Sequence, residues 1–211
     1  IITLYAVWGD KPVQTKLTYK ANFEGATPAE KVCELENNAT VTILDYGNAE
    51  LGLPPRSGYE FLGWSEDRNA TETDKLYKAG DQIIVDEADA TAKNILYAIW
   101  KQSTVTLTVT KTVTGNFGDK SKAFEFSMKV DGGNSFELTA KGTALPKGSQ
   151  SDYIFSLKDG ENIVIEGMPV GKKIVLAETN AEQYTVSFND TVETNRNYVN
   201  EKGLKENTTI N

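Results

Sequence analysis

Residues 103–115 read Ser-Thr-Val-Thr-Leu-Thr-Val-Thr-Lys-Thr-Val-Thr-Gly. Val105, Leu107, Val109 and Val113 fall on one face, and Thr104, Thr106, Thr108, Thr110 and Thr112 on the other. That is the period of a half-buried β-strand, with β-branched residues throughout. Lys111 falls in the apolar register. Because the side-chain period in a strand is two, this lysine points toward a core unless a bulge re-aims it. A buried ammonium is costly without a partner. By pattern alone the simpler outcome is a strand-end lysine whose head snorkels to water beside the Gly115 turn.

The rest of the chain bounds what such a strand can belong to. At 211 residues it holds one large domain or two ordinary ones. Thr, Val, Gly and Asn are abundant and strand-like runs are split by short turn clusters, which predicts a mainly β fold. Lys+Arg number 22 against 30 Asp+Glu, for a net charge of −8, and no basic stripe stands out, so nucleic acid is not an expected partner. The longest apolar runs are only a few residues, which excludes a membrane-inserted segment and shows no signal peptide. The chain begins abruptly inside a strand-like run and reads as an excised piece.

Cys33 is the single cysteine, so no internal disulfide forms, and it reads as a small half-buried residue. There is no histidine, which removes the commonest general base, the His-activated nucleophiles and the commonest metal ligand. A turnover enzyme is therefore disfavoured and no cofactor or metal is expected. The acidic run Asp86-Glu87-Ala-Asp89 lacks a calcium-loop spacing and reads as a solvated face. The N-glycosylation triplets at Asn38, Asn69, Asn189 and Asn207 read as chance in an Asn/Thr-rich chain.

Leu4-Tyr5-Ala6-Val7-Trp8 returns as Leu96-Tyr97-Ala98-Ile99-Trp100. Repetition at this spacing suggests modules in an array. Residues 1–9 then form the closing strand of a preceding repeat, 10–102 a complete repeat, and 103–211 a different domain. Within the repeat, strands are expected over 16–22, 39–44, 58–64, 80–85 and 94–100. Thr27-Pro28-Ala29-Glu30 has helix-start chemistry and predicts a short helix over 28–36. Tyr59, Phe61, Trp64, Tyr97 and Trp100 either fill a small core or form a sugar-stacking platform, and the core is the stronger reading. Gly58-Tyr59-x-Phe61-x-Gly63-Trp64, Tyr77-x-x-Gly80-Asp81 and Leu96-Tyr97-Ala98-x-Trp100 together resemble the internalin-type B-repeat (Listeria–Bacteroides repeat) of bacterial surface proteins. The resemblance implies a small β-grasp-like α+β fold.

From 103 onward the pattern is strand and turn. Phe124, Phe126, Met128 and Val130 alternate inward, Asp131-Gly-Gly-Asn134 marks a turn, and further strands are expected over 136–140, 153–157, 163–166, 173–178 and 184–188. Seven or so short strands at this spacing predict an Ig-like β-sandwich. Glu178 shares its face with Ile174 and Leu176, so a second ionisable residue sits in an apolar register of the same domain. Two such residues of opposite type invite a buried salt bridge.

Leu107-Thr-Val-Thr-Lys111-Thr-Val-Thr-Gly115, Leu157-Lys-Asp-Gly160-Glu161, Met168-Pro-Val-Gly171 and Ala177-Glu178-Thr resemble the pilin-type, collagen-adhesin B-like domains of Gram-positive surface proteins. The resemblance implies that Lys111 bonds covalently to an asparagine on the last strand, promoted by Glu178, in an intramolecular isopeptide bond formed once without turnover. Burial disfavours charge, leaving an amine nucleophilic and a carboxyl protonated, which suits this chemistry. The family's acceptor belongs to a Phe-x-Asn element, whereas this chain ends Thr208-Thr-Ile-Asn211. By alignment the acceptor lies about three residues past Asn211. Asn211 itself is the fallback, out of register because Ile210 should face inward. The resemblance further implies a non-enzymatic stalk or spacer of a wall-anchored adhesin or pilin-like protein on the bacterial cell surface. Its partners would be neighbouring domains of the same chain. The alternative is an adhesin module that binds a host glycan or surface protein.

Overall fold

A computed structural model describes residues 14–86, 94–189, 191–193 and 195–211. The strand expected over 1–9 and the Glu87–Asp89 part of the acidic run lie outside the described residues. The chain divides into two compact units, with the boundary between Lys101 and Gln102. The described residues are all β, with no helix.

In the first unit, β1 (Gln14–Lys20), β2 (Glu30–Glu36), β3 (Ala39–Thr42), β4 (Tyr59–Ser65), β5 (Gln82–Val85) and β6 (Ile95–Gln102) occur in order. β1 lies between β2 (antiparallel) and β6 (parallel) in the sheet β2-β1-β6-β4, while β3 and β5 pair separately. The helix predicted over 28–36 is not there. Glu30–Glu36 is instead an edge strand that pairs with β1 along its whole length, from Lys20↔Glu30 to Gln14↔Glu36. The start signal at Thr27–Glu30 has no helical apolar stripe behind it. Residues 32–36 alternate, with Cys33 and Leu35 half-buried between exposed neighbours, and that period serves a strand. Cross-strand pairs of opposite charge, Lys16 with Glu34 at 3.1 Å and Lys20 with Glu30 at 3.0 Å, match the same register.

Of the five aromatic residues expected to fill a core here, Trp64, Phe61 and Trp100 do so together with Tyr19 and Tyr46, whereas Tyr59 and Tyr97 are half-buried outside that cluster. Trp64 is fully buried and Tyr19 nearly so, their ring centroids 4.8 Å apart. Two tryptophans spend their indole N–H on the backbone: Trp64 donates to the Leu44 carbonyl and Trp100 to the Ala21 carbonyl, each at 2.8 Å. Phe61 and Trp100 pack half-buried against the cluster, and the Arg56 guanidinium stacks 3.6 Å over the Tyr59 ring.

The second unit comprises β7 (Thr104–Thr110), β8 (Phe124–Val130), β9 (Thr139–Ala140), β10 (Thr143–Ala144), β11 (Asp152–Leu157), β12 (Asn162–Pro169), β13 (Ile174–Glu178), β14 (Ser187–Phe188), β15 (Thr191–Val192), β16 (Asn197–Asn200) and β17 (Thr208–Ile210). Two sheets, β10-β9-β12-β7-β17 and β11-β8-β13-β16, share one hydrophobic core. Val105, Leu107 and Val109 face into it from one sheet; Phe124, Phe126, Met128, Ile174 and Leu176 face into it from the other. That is a β-sandwich. β14 and β15 form a separate hairpin. The strand expected over 136–140 shrinks to Thr139–Ala140, and that over 184–188 to Ser187–Phe188. β12 bulges between Ile165 and Met168, where Gly167 has φ +82° and its Cα approaches the Glu137 carbonyl too closely for any side chain.

Candidate functional site

Lys111 comes directly after β7 and Glu178 closes β13, so the two side chains enter the same core from opposite sheets. Glu178 lies level with Phe126 on the neighbouring strand β8. The Lys111 ammonium contacts both carboxylate oxygens of Glu178, at 2.9 Å to Oε1 and 3.0 Å to Oε2. The side chains are 14% and 3% exposed. Lys111 therefore does not snorkel out beside Gly115, as its position at a strand end suggested. A buried carboxylate offers the ammonium a better partner than water reached through a loop, and the alternation of β7 continues through Lys111 to the buried Val113.

Phe124 is fully buried and its ring centre lies 4.3 Å from the Lys111 Nζ. With Phe126 it makes one wall of the site apolar, which strengthens the charge interaction it faces. A cavity of about 570 Å³ opens beside the pair, lined by Lys111, Glu178, Phe126, Tyr184, Phe188 and Asn211 among others. A strand end, a buried acid and an open space thus meet at one place.

β17 runs parallel to β7, with Thr208↔Leu107, Thr209↔Thr108 and Ile210↔Val109. Ile210 is fully buried on the inward face and Asn211 is exposed. The Asn211 backbone is tied to Asn189: its N–H donates to the Asn189 Oδ1 at 3.1 Å, and its carbonyl accepts the Asn189 N–H at 2.9 Å. Continued in this register, the first residue past Asn211 would face inward level with Lys111, and the third would face inward level with Val113.

Two side chains that fasten β7 and its continuation were given no such role from the sequence. Asp159 accepts the Val113 N–H at 2.7 Å through its Oδ1, although the residues are 46 apart in the chain. Asn207, noticed only as part of a glycosylation triplet, offers its Oδ1 to the Thr106 N–H at 2.9 Å and pins the start of β17 to β7. The Asp-Gly turn at 159–160 was a visible signal for the first; no local pattern marks the second.

A family model described as a domain of unknown function (DUF7601) matches residues 105–211. Among characterised proteins, the chain is 38% identical over 94 residues to a pilus tip adhesin, Cpa, of Streptococcus pyogenes, covering 39% of this chain and 13% of that protein. It is 35% identical over 96 residues to a pilin of Streptococcus pyogenes serotype M1, covering 39% of this chain and 28% of that protein. The chain thus spans less than a third of the length of either relative. Among solved structures, the major pilin from Streptococcus pyogenes superposes with a TM-score of 0.43 at 16% identity, covering 95% of this chain and 98% of that one.

Proposed function

The chain belongs, through residues 105–211, to the DUF7601 family, and on that premise we propose that it is a stalk segment of a wall-anchored, pilin-like adhesin on a Gram-positive cell surface, stiffened by a self-formed isopeptide bond at Lys111. The relatives are a pilus tip adhesin and a pilin. The observation that carries the proposal is the Lys111–Glu178 pair, buried in the core and open to a cavity beside the end of β17. Residues 10–102 would be a B-repeat spacer ahead of it.

The chemistry needs an asparagine on the inward face of the strand continuing from Asn211, at the first or third position. A proton passes from the Lys111 ammonium to Glu178 across the 2.9 Å contact, leaving a neutral amine and a protonated carboxyl. The amine attacks the asparagine Cγ while the Glu178 carboxyl donates a hydrogen bond to the developing oxyanion. The new C–N bond forms as the attacking nitrogen gives up one proton, the departing –NH2 gains one through Glu178, and the old C–N bond breaks to release ammonia. Folding alone brings the groups together, which supplies the proximity term. Phe124 and Phe126 give the pair one apolar wall, which strengthens its charge interactions.

A bond between the first and last strands of the sandwich diverts tension around the domain. Single-molecule pulling on the native chain continued past Asn211 tests this. The wild-type sandwich should give no extension, whereas a Lys111→Ala variant should lengthen by roughly 30 nm as its ~100 enclosed residues unravel. Full unravelling of the wild type would contradict the proposal.

A further inference from the structure

We propose that Asp159 is a positioning residue for the Lys111 amine, holding the strand end from behind so that the lysine stays aimed at Glu178. The inference rests on the crosslinking reading above. A lysine one residue past the end of a strand, leading into Thr112 and a Thr-Gly-Asn loop, would ordinarily fray toward water. Three contacts hold it instead. The Lys111 N–H donates to the Glu161 carbonyl at 2.9 Å, and the Gly160 N–H donates to the Lys111 carbonyl at 2.9 Å. These extend the β7–β12 ladder one residue beyond its last pair, Asn162↔Thr110. The third contact, from the Val113 N–H to Asp159 Oδ1 at 2.7 Å, reaches past Thr112 and fixes the next inward residue as well.

The holding element is itself stiff. Residues Lys158–Glu161 form a turn in which the Glu161 N–H donates to the Lys158 carbonyl at 3.0 Å. The Lys158 N–H in turn donates to the Glu161 carboxylate at 2.7 Å. Gly160 has φ +76°, a conformation that favours glycine. Accepting the Val113 N–H holds the Asp159 carboxyl below the usual carboxylate range, so the acceptor is an anion and the bond is charge-assisted. The second Asp159 oxygen pairs with Lys120 at 3.2 Å, but that lysine is 68% exposed and the pair contributes little. The backbone bond to Val113 is the contact that matters: with Lys111 and Val113 both pinned, the Lys111 side chain can leave the backbone only inward.

The test is an intact-mass time course after a translation pulse, on the native chain continued past Asn211. Wild type is compared with Asp159→Ala, Asp159→Asn and Lys120→Ala. Asparagine keeps an Oδ1 acceptor for the Val113 N–H and alanine removes it. Ammonia loss should slow by about tenfold or more in Asp159→Ala, since intramolecular reactions are sensitive to displacements of an ångström. It should recover most of its rate in Asp159→Asn and stay unchanged in Lys120→Ala. Denaturant midpoints measured in a Lys111→Met background, where no crosslink forms, report the structural cost of each change separately. A distant core change of matched cost, Val130→Ala, controls for stability. Equal rates in wild type and Asp159→Ala overturn the role of Asp159, as does equal slowing in Val130→Ala. A wild type that never loses ammonia overturns the crosslinking reading itself, a separate result.

Discussion

Glu178 holds a place that a sandwich strand ordinarily gives to an aliphatic side chain, at the end of β13 two residues past Leu176 and level with Phe126. Its carboxylate is tolerable there because the Lys111 ammonium meets both oxygens. Breaking such a pair from one side strands a charge, while replacing both partners is often neutral. In this 211-residue chain, Lys111→Met should therefore cost about 3 kcal/mol in urea unfolding. Glu178→Leu should cost less, because Lys111 at 14% exposure can swing its head toward water and Glu178 at 3% cannot. The Lys111→Met/Glu178→Leu double variant should recover most of the loss. Additive losses in the double variant would mean that the pair is not coupled. The alternation of 103–115 and of 174–178 made both residues visible in sequence as charges in apolar registers. Their pairing was expected from their opposite charge; the register between facing sheets that brings them to 2.9 Å was not visible, because packing across the core sets it.

A second buried carboxylate makes a different prediction. Asp152 begins β11, is 6% exposed, and accepts a hydrogen bond from the Ser127 hydroxyl at 2.5 Å. That bond holds its carboxyl below the ordinary value. A folded-state value below the unfolded one means stability that is present above the unfolded carboxylate range and is lost as pH falls through the folded value. Ser127→Ala removes the cause, so the acid-unfolding midpoint of the second unit should move to higher pH. An unmoved midpoint, tracked by circular dichroism, would show that Ser127 does not stabilise the anion.

At the scale of elements, β2 is where local signals and pairing disagreed. Thr27-Pro28-Ala29-Glu30 carries helix-start chemistry, yet Cys33 and Leu35 alternate and β1 supplies an edge to pair with. A capping signature contributes around a kilocalorie, and seven residues of ladder with two cross-strand ion pairs outweigh it. Counting alternately from the Ala21 N–H to Ala29 carbonyl bond, the Val32 N–H faces away from β1 and the Cys33 N–H faces it. Val32→Pro should therefore be tolerated while Cys33→Pro should unfold the first unit. A helix would suffer from both alike, so equal damage in thermal melts would contradict the strand. Most other strands were legible because period-two patterns are strong when one face is buried. Others were not: Thr143–Ala144 and Thr191–Val192 hold two residues each, too few to show any period, and Asn197–Asn200 has no apolar alternation.

For the molecule as a whole, the β17–β7 pairing matters most. It is parallel, joins the last strand to the first strand of the sandwich, and is pinned at its start by Asn207. A covalent bond at Lys111 would close a loop of about a hundred residues, worth ~4–5 kcal/mol in the chain-entropy account. It would also carry tension along two adjacent strands without passing through the core. The most direct test is the intact mass of the native segment running from Ser103 through the strand that continues Asn211, measured beside Lys111→Ala and Glu178→Gln. The wild type should be lighter than its sequence by one ammonia, and both variants should have full mass. A folded wild type of full mass would contradict the self-crosslinked stalk and leave Lys111 and Glu178 as a buried ion pair.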